Sequence, residues 1–253
     1  MCSETQIKAM PAVILAAGMG VRLRNVVGEI PKGLLEIDGQ SLIIRSIECL
    51  KSFGINQIIM VTGYQEEQYY KALKQYSPGI TFITNEDYSI TGSMHSLLLA
   101  EEHIQTDFLL LESDLLYEAR TISTLLQQSR STVLISGATK SGDEVYIYGE
   151  SGEINKITKE KMDSLTLQGE LVGVSRISLN LLKKMCSSYK NQIKFPSNSH
   201  YEDCISGLSK NNKINYLRID DLIWTEIDDE SHYNRALNLI YPKVQENNQK
   251  YRD

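Results

Sequence analysis

The sequence predicts an α/β fold: a mostly parallel sheet covered by helices on both faces and carrying an antiparallel addition. Three observations predict it. Short, wholly apolar runs such as Val13 to Ala17 and Phe108 to Leu111 suit strands buried on both faces, the habit of parallel sheets. Amphipathic stretches of helical period alternate with these runs through the first half of the chain. After Gly137 the alternation gives way to short strands separated by glycine-rich turns, which suits an antiparallel extension of the same sheet.

Taken in order, Val13 to Ala17 is the first buried strand. Ser41 to Phe53 has apolar residues at helical spacing, and Gly54 follows as a stop. Ile55 to Thr62 is the second strand, Glu66 to Tyr76 a helix, and Ile80 to Thr84 a short strand. Ser93 to Ile104 is a helix, Asp107 to Leu111 a strand, Thr121 to Ser129 a helix and Thr132 to Gly137 a strand. Beyond them, Val145 to Tyr148, Ile154 to Ile157 and Leu171 to Ile177 are strands. Helices follow at Leu179 to Tyr189 and Tyr201 to Ser209, then strands at Ile214 to Leu217 and Leu222 to Ile227, and a closing helix from Ser231. The pattern is Rossmann-like and is expected to form one domain over residues 1–243, with halves at about 11–137 and 138–243. Residues 244–253 are polar and are expected to fray or to link to a further domain.

Composition narrows the function. The 253 residues are 42% hydrophobic and 23% charged, an ordinary globular balance that supports a core without disulfides. A net charge of −6 argues against a general nucleic-acid binder, although a pocket can be locally positive. Cys2, Cys49, Cys186 and Cys204 form no C-x-x-C pair, so free thiols in a reducing, cytoplasmic setting are expected. The first ten residues lack an apolar signal core, and no run approaches the roughly 20 apolar residues of a membrane span.

The first strand empties into Gly18-Met19-Gly20-Val21-Arg22. Strand ends at this edge of an open parallel sheet are where ligands bind. Glycines let backbone N–H groups approach an anion, and the planar Arg22 suits phosphate oxygens. A Walker loop needs G-x-x-x-x-G-K-[ST], which is absent. A dinucleotide loop needs a third small residue, where this chain has Leu23, although Asp38 stands 20 residues after Gly18. A plain tight turn is the third reading. Pro31-Lys32-Gly33-Leu34-Leu35-Glu36-Ile37-Asp38-Gly39 follows closely and supplies a second cation next to a short strand and turn.

Together, A-A-G-x-G-x-R-L and P-K-x-L-L-x-I-x-G resemble the sugar-phosphate and choline-phosphate nucleotidyltransferases. The likeness continues through Gly54-Ile55, Val61-Thr62-Gly63-Tyr64, Asn85-Glu86-Asp87-Tyr88, Gly92-Ser93-Met94-His95-Ser96-Leu97, Leu109 to Asp114 and Trp224-Thr225-Glu226-Ile227-Asp228. It implies a GT-A-like fold whose first half binds nucleotide and whose second half binds the acceptor. It also implies attack of a phosphate-type oxygen on the α-phosphorus of a nucleoside triphosphate, with loss of pyrophosphate. Both reactants are anions, so cations and oriented N–H groups matter more than a general base. On this resemblance, Leu15, Ala16, Ala17, Gly18, Met19 and Gly20 hold the nucleotide, with Arg22 near its β and γ phosphates. Lys32 neutralises charge at the α-phosphate. The Gly92-Ser93 helix start faces the base, whose pyrimidine edge is bonded by Ser93 or Asn85. Magnesium is expected on Asp114 and Asp228, with Glu226 and Glu112, two residues earlier on each strand, as further ligands.

The acceptor side departs from the choline-phosphate pattern, which has a tryptophan shortly before a Tyr-Gly turn. Here Ser141-Gly142-Asp143-Glu144-Val145-Tyr146-Ile147-Tyr148-Gly149 carries acids instead. A quaternary ammonium wants an aromatic cage, whereas a primary ammonium wants charged acceptors. Asp143, Glu144, Glu202 and Asp203 suit the primary amine, and Gly92-Ser93-Met94-His95-Ser96-Leu97 resembles the 2-aminoethylphosphonate cytidylyltransferases, which implies that acceptor with CTP as donor and leaves His95 either on the phosphonate or at the helix start. Phosphoethanolamine and phosphocholine are alternative acceptors, the latter with Tyr69, Tyr70, Tyr146 and Tyr148 as a cage. A UTP- or dTTP-dependent sugar-1-phosphate transferase and a non-catalytic nucleotide-binding module are further readings. Lys156, Lys159 and Lys161 form a second basic cluster. The expected partners are these small molecules and, on the resemblance, a homo-oligomeric copy and a C-terminal aminotransferase domain.

Overall fold

The computed structural model describes residues 10–23, 28–191 and 195–250. β1 (Ala12–Ala16) is buried throughout, with Val13 and Leu15 entering one core and Ala12, Ile14 and Ala16 the other. Period-two alternation with both faces apolar is why the stretch reads as a continuous hydrophobic run. After single 3-10 turns at Val21–Leu23 and Lys32–Leu34, the chain forms a hairpin of β2 (Glu36–Ile37) and β3 (Gln40–Ser41). Asp38 and Gly39 join them at φ 54° and 73°, the left-handed pair that matches the twist of a two-residue hairpin. Asp38 accepts from the Tyr241 hydroxyl there at 2.9 Å and takes no part in a nucleotide loop.

α1 (Leu42–Ser52) buries Leu42, Ile43, Ile47 and Leu50 on one stripe. The chain continues through β4 (Ile58–Thr62), α2 (Glu66–Ala72), β5 (Ile80–Thr84), α3 (Ser93–Leu99), β6 (Phe108–Glu112), β7 (Leu115–Tyr117), α4 (Arg120–Leu126) and β8 (Thr132–Ser136). It then runs through β9 (Tyr146–Glu150), β10 (Glu153–Thr158), β11 (Leu167–Ile177), α5 (Leu179–Lys190), α6 (Tyr201–Ser209), β12 (Asn215–Ile219), β13 (Trp224–Glu226) and α7 (Glu230–Arg235). A widened π turn at Ala236–Ile240 leads into α8 (Tyr241–Lys250).

Nine strands form one sheet in the order β5-β4-β1-β6-β11-β8-β12-β10-β9. β5, β4, β1 and β6 are parallel, and β11 enters antiparallel between β6 and β8. β12 is parallel to β8, and β9 and β10 complete the far edge as an antiparallel pair. The antiparallel strands are therefore hydrogen-bonded into the same sheet, as the sequence predicts. β11 shifts register against β8 between Leu171 and Ser175, the position of Gly173 at φ 81°. Residues of α3, α5 and α6 fill the core on one face, and those of α1, α2 and α4 fill the other. A third cluster, with Leu23, Ile37, Leu116, Ile227 and Ile240, ties the hairpin to the C-terminal helices.

Three expected helices stop early. Glu66 to Tyr76, Ser93 to Ile104 and Thr121 to Ser129 become α2, α3 and α4, the first two followed by 3-10 turns at Lys74–Tyr76 and Glu101–His103. The tail also differs from expectation. Residues 244–250 continue α8 because Val244 is buried in the third cluster, and Asn247 and Asn248 bond Glu118 and the Ala119 N–H. Among the described residues, Cys49 and Cys186 are free thiols, as expected; Cys2 lies outside them. No described helix is long and apolar enough to cross a membrane.

Candidate active site

The carboxyl ends of the parallel strands open into a cavity of about 430 Å³. Gly18 and Gly20 follow β1, Asn85 follows β5 and Asp114 follows β6, so each reaches the cavity from the strand before it. The opposite wall comes from another device. β13 pairs antiparallel with β7, Glu226 standing opposite Leu115, and the Ile227 N–H donates to the Asp114 carbonyl at 3.1 Å. This two-stranded ribbon brings Glu226 and Asp228 to the end of β6, more than a hundred residues earlier in sequence.

Charges of alternating sign cross the cavity. Lys32 Nζ bonds Asp114 Oδ2 at 2.9 Å and also Asp228. Asp228 Oδ1 lies 3.0 Å from Arg22 Nη2, which bonds Asp143 Oδ2 at 2.9 Å. Asp143 Oδ1 in turn accepts from Lys159 Nζ at 2.7 Å. Three cations thus line a cavity of a net-acidic protein, each held in place by carboxylates. Burial works against the charge on Lys32, yet Asp114, Asp228 and Glu226 hold its ammonium above the usual lysine range. Burial also opposes the charge on Asp228, which Lys32 and Arg22 hold below the usual carboxylate range.

Gly20 is what lets Lys32 enter. It sits at φ 56°, and a Cβ there would lie 2.8 Å from Lys32 Cγ. Gly20→Ala is expected to cost about 1–2 kcal/mol for the left-handed backbone alone and to displace Lys32. Calorimetry should show a melting temperature lower by about 2–8 °C, and an unchanged melting curve would refute the packing argument.

Glu112, Asp114 and Glu226 each offer an oxygen within 4.8 Å of the other two. Glu112 Oε1 accepts from the buried Tyr201 hydroxyl at 2.7 Å. Burial, aided by Glu202 and Asp114, pushes the Glu112 carboxyl up to about 8. Burial and the carboxylates of Asp114, Glu112 and Asp228 push Glu226 up to about 10. Crowded carboxylates in this state want a cation, and three hard oxygen donors facing the cavity fit Mg²⁺. Three of the four expected carboxylates are grouped here, whereas Asp228 is turned to Lys32 and Arg22.

The other expected site residues divide. Leu15, Ala17, Gly18, Gly20, Asn85, Gly92, Ser93, Asp143, Glu144 and Glu202 line the cavity with Arg22 and Lys32, whereas Ala16, Met19, His95 and Asp203 do not. Ala16 points into the core on the other face, because residues adjacent in a strand face opposite ways. The His95 ring lies 6.2 Å from that of Tyr189, on the α5 side, so its place on a phosphonate is not supported. Asp203 accepts from the His200 N–H at 2.8 Å and caps α6 instead of lining the acceptor side. Asn85 and Ser93 are at the cavity, but their polar atoms are occupied. The Asn85 amide donates to Thr91 and Ser96 and accepts from Asp87, while Ser93 Oγ accepts from the Tyr201 N–H and contacts His200. The expected bonds from Asn85 or Ser93 to a base would have to displace these partners.

None of Tyr69, Tyr70, Tyr146 and Tyr148 lines the cavity, so these four form no cage there. Tyr70, for example, packs on Phe82 and bonds Glu66. Of the second basic cluster, Lys159 alone of its three members lines the cavity. Trp224 belongs to the core and also borders the cavity. Sequence reasoning missed Tyr88, Glu170 and His232 at the cavity and Tyr201 on Glu112, which long-range packing brings there without a local signal.

The model of the MobA-like NTP transferase domain matches residues 12–171. The chain belongs to this family. It is a nucleotidyltransferase, in keeping with the resemblance carried by its glycine loop and Lys32. It is similar to a choline-phosphate cytidylyltransferase of Streptococcus pneumoniae, 29% identical over 160 residues, which cover 63% of this chain and 68% of that protein. It is 28% identical over 158 residues to a UTP–glucose-1-phosphate uridylyltransferase of Haloferax volcanii, covering 60% and 65%. A 2-aminoethylphosphonate cytidylyltransferase of Lancefieldella rimae is 28% identical over 183 residues, covering 71% and 73%. The solved inositol-1-phosphate CTP transferase of T. maritima superposes with a TM-score of 0.79 at 20% identity, over 94% of this nucleotidyltransferase and 97% of that chain. At that identity the likeness speaks for the Rossmann-like fold alone.

Proposed function

We propose that the protein transfers the cytidylyl group of CTP to 2-aminoethylphosphonate with the help of Mg²⁺, giving CMP-aminoethylphosphonate and pyrophosphate. The observation that carries the acceptor reading is Glu202. It lines the cavity, and its Oε2 is buried without a hydrogen-bond partner among the described residues. Burial, with Asp203 nearby, pushes its carboxyl up to about 7, and a backbone hydrogen bond and Lys159 work the other way. A buried carboxylate lacking a cation is costly, and a primary ammonium supplies both charge and donors. Asp143 is a weaker candidate, since Arg22 and Lys159 already pair with it. Glu144 accepts from the Gly142 N–H and the Tyr146 hydroxyl. The similarity to a 2-aminoethylphosphonate cytidylyltransferase supports the same acceptor.

A phosphonate oxygen of the acceptor would attack the α-phosphorus, and the bond from that phosphorus to the bridging oxygen of pyrophosphate would break. The nucleophile is already an anion, so no general base is required. Lys32 would carry the charge that develops at the α-phosphate, and Arg22 that of the departing pyrophosphate. Glu112, Asp114 and Glu226 would hold the magnesium ion, which when bound screens the two anionic substrates from each other. Lys159, at the Asp143 end of the charged row, faces the side where Glu202 would hold the amine.

Pyrophosphate release with CTP, UTP, ATP and GTP, each crossed with 2-aminoethylphosphonate, phosphoethanolamine, phosphocholine and glucose 1-phosphate, tests the proposal. The expected maximum is CTP with 2-aminoethylphosphonate, dependent on magnesium; a maximum with glucose 1-phosphate or phosphocholine would overturn it. Glu202→Gln should raise KM for the amine substrate about 10- to 100-fold and leave KM for CTP within about twofold. Equal effects on both would remove Glu202 from the acceptor site.

A further inference from the structure

We propose that Tyr201 is a positioning residue for the metal site, holding the Glu112 carboxylate where it can share a cation with Asp114 and Glu226. The inference rests on the reading of those three carboxylates as a magnesium site. Tyr201 is 1% exposed and packs among the residues of α3, α5 and α6, yet its hydroxyl leaves that core to donate to Glu112 Oε1 at 2.7 Å. A phenol buried this deeply needs a hydrogen-bond partner, and the partner here is one of the clustered carboxylates.

The donor is itself firmly placed. Tyr201 is the first residue of α6, and its own N–H donates to Ser93 Oγ at 3.1 Å. The preceding His200 N–H is capped by Asp203 at 2.8 Å. The start of α6 is thereby pinned to the start of α3. Glu112 is confined from the other side as well. A Cβ on Gly173 would lie 2.7 Å from Glu112 Oε2, and Gly173 has φ 81°, so bare backbone makes room for the second oxygen. With one oxygen bonded and the other bounded, the carboxylate loses its freedom to rotate away from Asp114 and Glu226. A neutral donor does this without cancelling the ligand's charge, as an ammonium would. Groups that bond a metal ligand commonly set affinity through this restraint.

Manganese binding to the full chain, followed by the loss of the free-ion electron paramagnetic resonance signal, tests the idea without any turnover. The wild-type protein should bind one Mn²⁺. Tyr201→Phe, which keeps the packing and removes the donor, should raise the dissociation constant roughly 10- to 100-fold. Gly173→Ala should weaken binding too, by pushing on Oε2. Tyr189→Phe is the control: Tyr189 lies in the same core but donates to the Ser197 carbonyl at 2.7 Å, away from the carboxylates, and should leave affinity within about twofold. Thermal melts by circular dichroism establish that each variant is folded. Unchanged Mn²⁺ affinity in Tyr201→Phe, or an equal loss in both tyrosine variants, would overturn the role of Tyr201 and leave the metal site standing. Failure of the wild-type protein to bind Mn²⁺ would overturn the metal site and this inference together.

Discussion

Lys32→Ala is expected to lower turnover about 10³-fold, with CTP still bound. The ammonium stands between Asp114 and Asp228, beside the glycine loop at the cavity, and both carboxylates hold it charged. A cation fixed in advance stabilises charge that appears only as the α-phosphate is attacked, so its removal should fall on kcat more than on KM. The alternative, that Lys32 merely neutralises buried carboxylates, predicts something else. The variant would then lose stability, and its activity would follow the folded fraction. Some loss of stability is expected in either case, because Asp114 and Asp228 lose a partner, although protons can replace part of it. Single-turnover rates on fully folded protein separate the two. Lys32→Arg should recover little, since the planar guanidinium spreads over a wider fork than the single ammonium seated between Asp114 and Asp228. A Lys32→Ala enzyme that turns over within tenfold of wild type would remove the lysine from the reaction.

The parallel half of the fold was legible because its strands are buried on both sides. Ala12 to Ala16 and Phe108 to Leu111 carry apolar groups to two cores at once, and no other local structure explains such runs so well. The glycine loop and Lys32 were legible for a similar reason: the chemistry and its conformational needs lie within a few residues of one another. The β7–β13 ribbon was not. The strand at Trp224–Glu226 falls within the expected Leu222 to Ile227, but Leu115–Tyr117 is only three residues, too short for periodicity to speak, and the pairing of the two is a long-range event. Yet that ribbon decides that Glu226 joins Asp114 while Asp228 meets Lys32. Asn85 and Ser93 illustrate the other limit. Their positions at the cavity follow from strand and helix ends, but whether an amide or hydroxyl is free depends on neighbours such as Thr91, Ser96 and Tyr201. Glu202 and Asp203 are adjacent in sequence and both acidic. One faces the cavity and the other caps its helix, a difference made by the 100° step between consecutive helical residues.

Gly92→Ala is expected to cost about 3 kcal/mol or more and to loosen the acceptor side of the cavity. The residue has φ −92°, so the backbone tolerates any side chain; space is what is lacking. A Cβ at Gly92 would lie 2.1 Å from the Ser199 carbonyl oxygen and 2.5 Å from that of Asn198. Neither atom can rotate away, because both belong to the main chain. The contact exists because this stretch lies directly on the start of α3: the Gly92 N–H donates to the Ser197 carbonyl at 3.0 Å and the Met94 N–H to the Ser199 carbonyl at 3.3 Å. To admit a methyl group the segment before α6 must lift, which breaks those bonds and strains the one from the Tyr201 N–H to Ser93. At 2–4 °C for each kcal/mol in a chain of this size, the melting temperature should fall by about 6–12 °C. The functional consequence follows from what α6 carries. Tyr201 would move from Glu112, and Glu202 from its place on the cavity wall, so KM for the proposed amine acceptor should rise while the glycine loop, built on β1, keeps its shape. If Gly92→Ala melts with the wild-type protein and leaves both KM values unchanged, the start of α6 is not held where the geometry puts it, and the acceptor wall must be built by other residues.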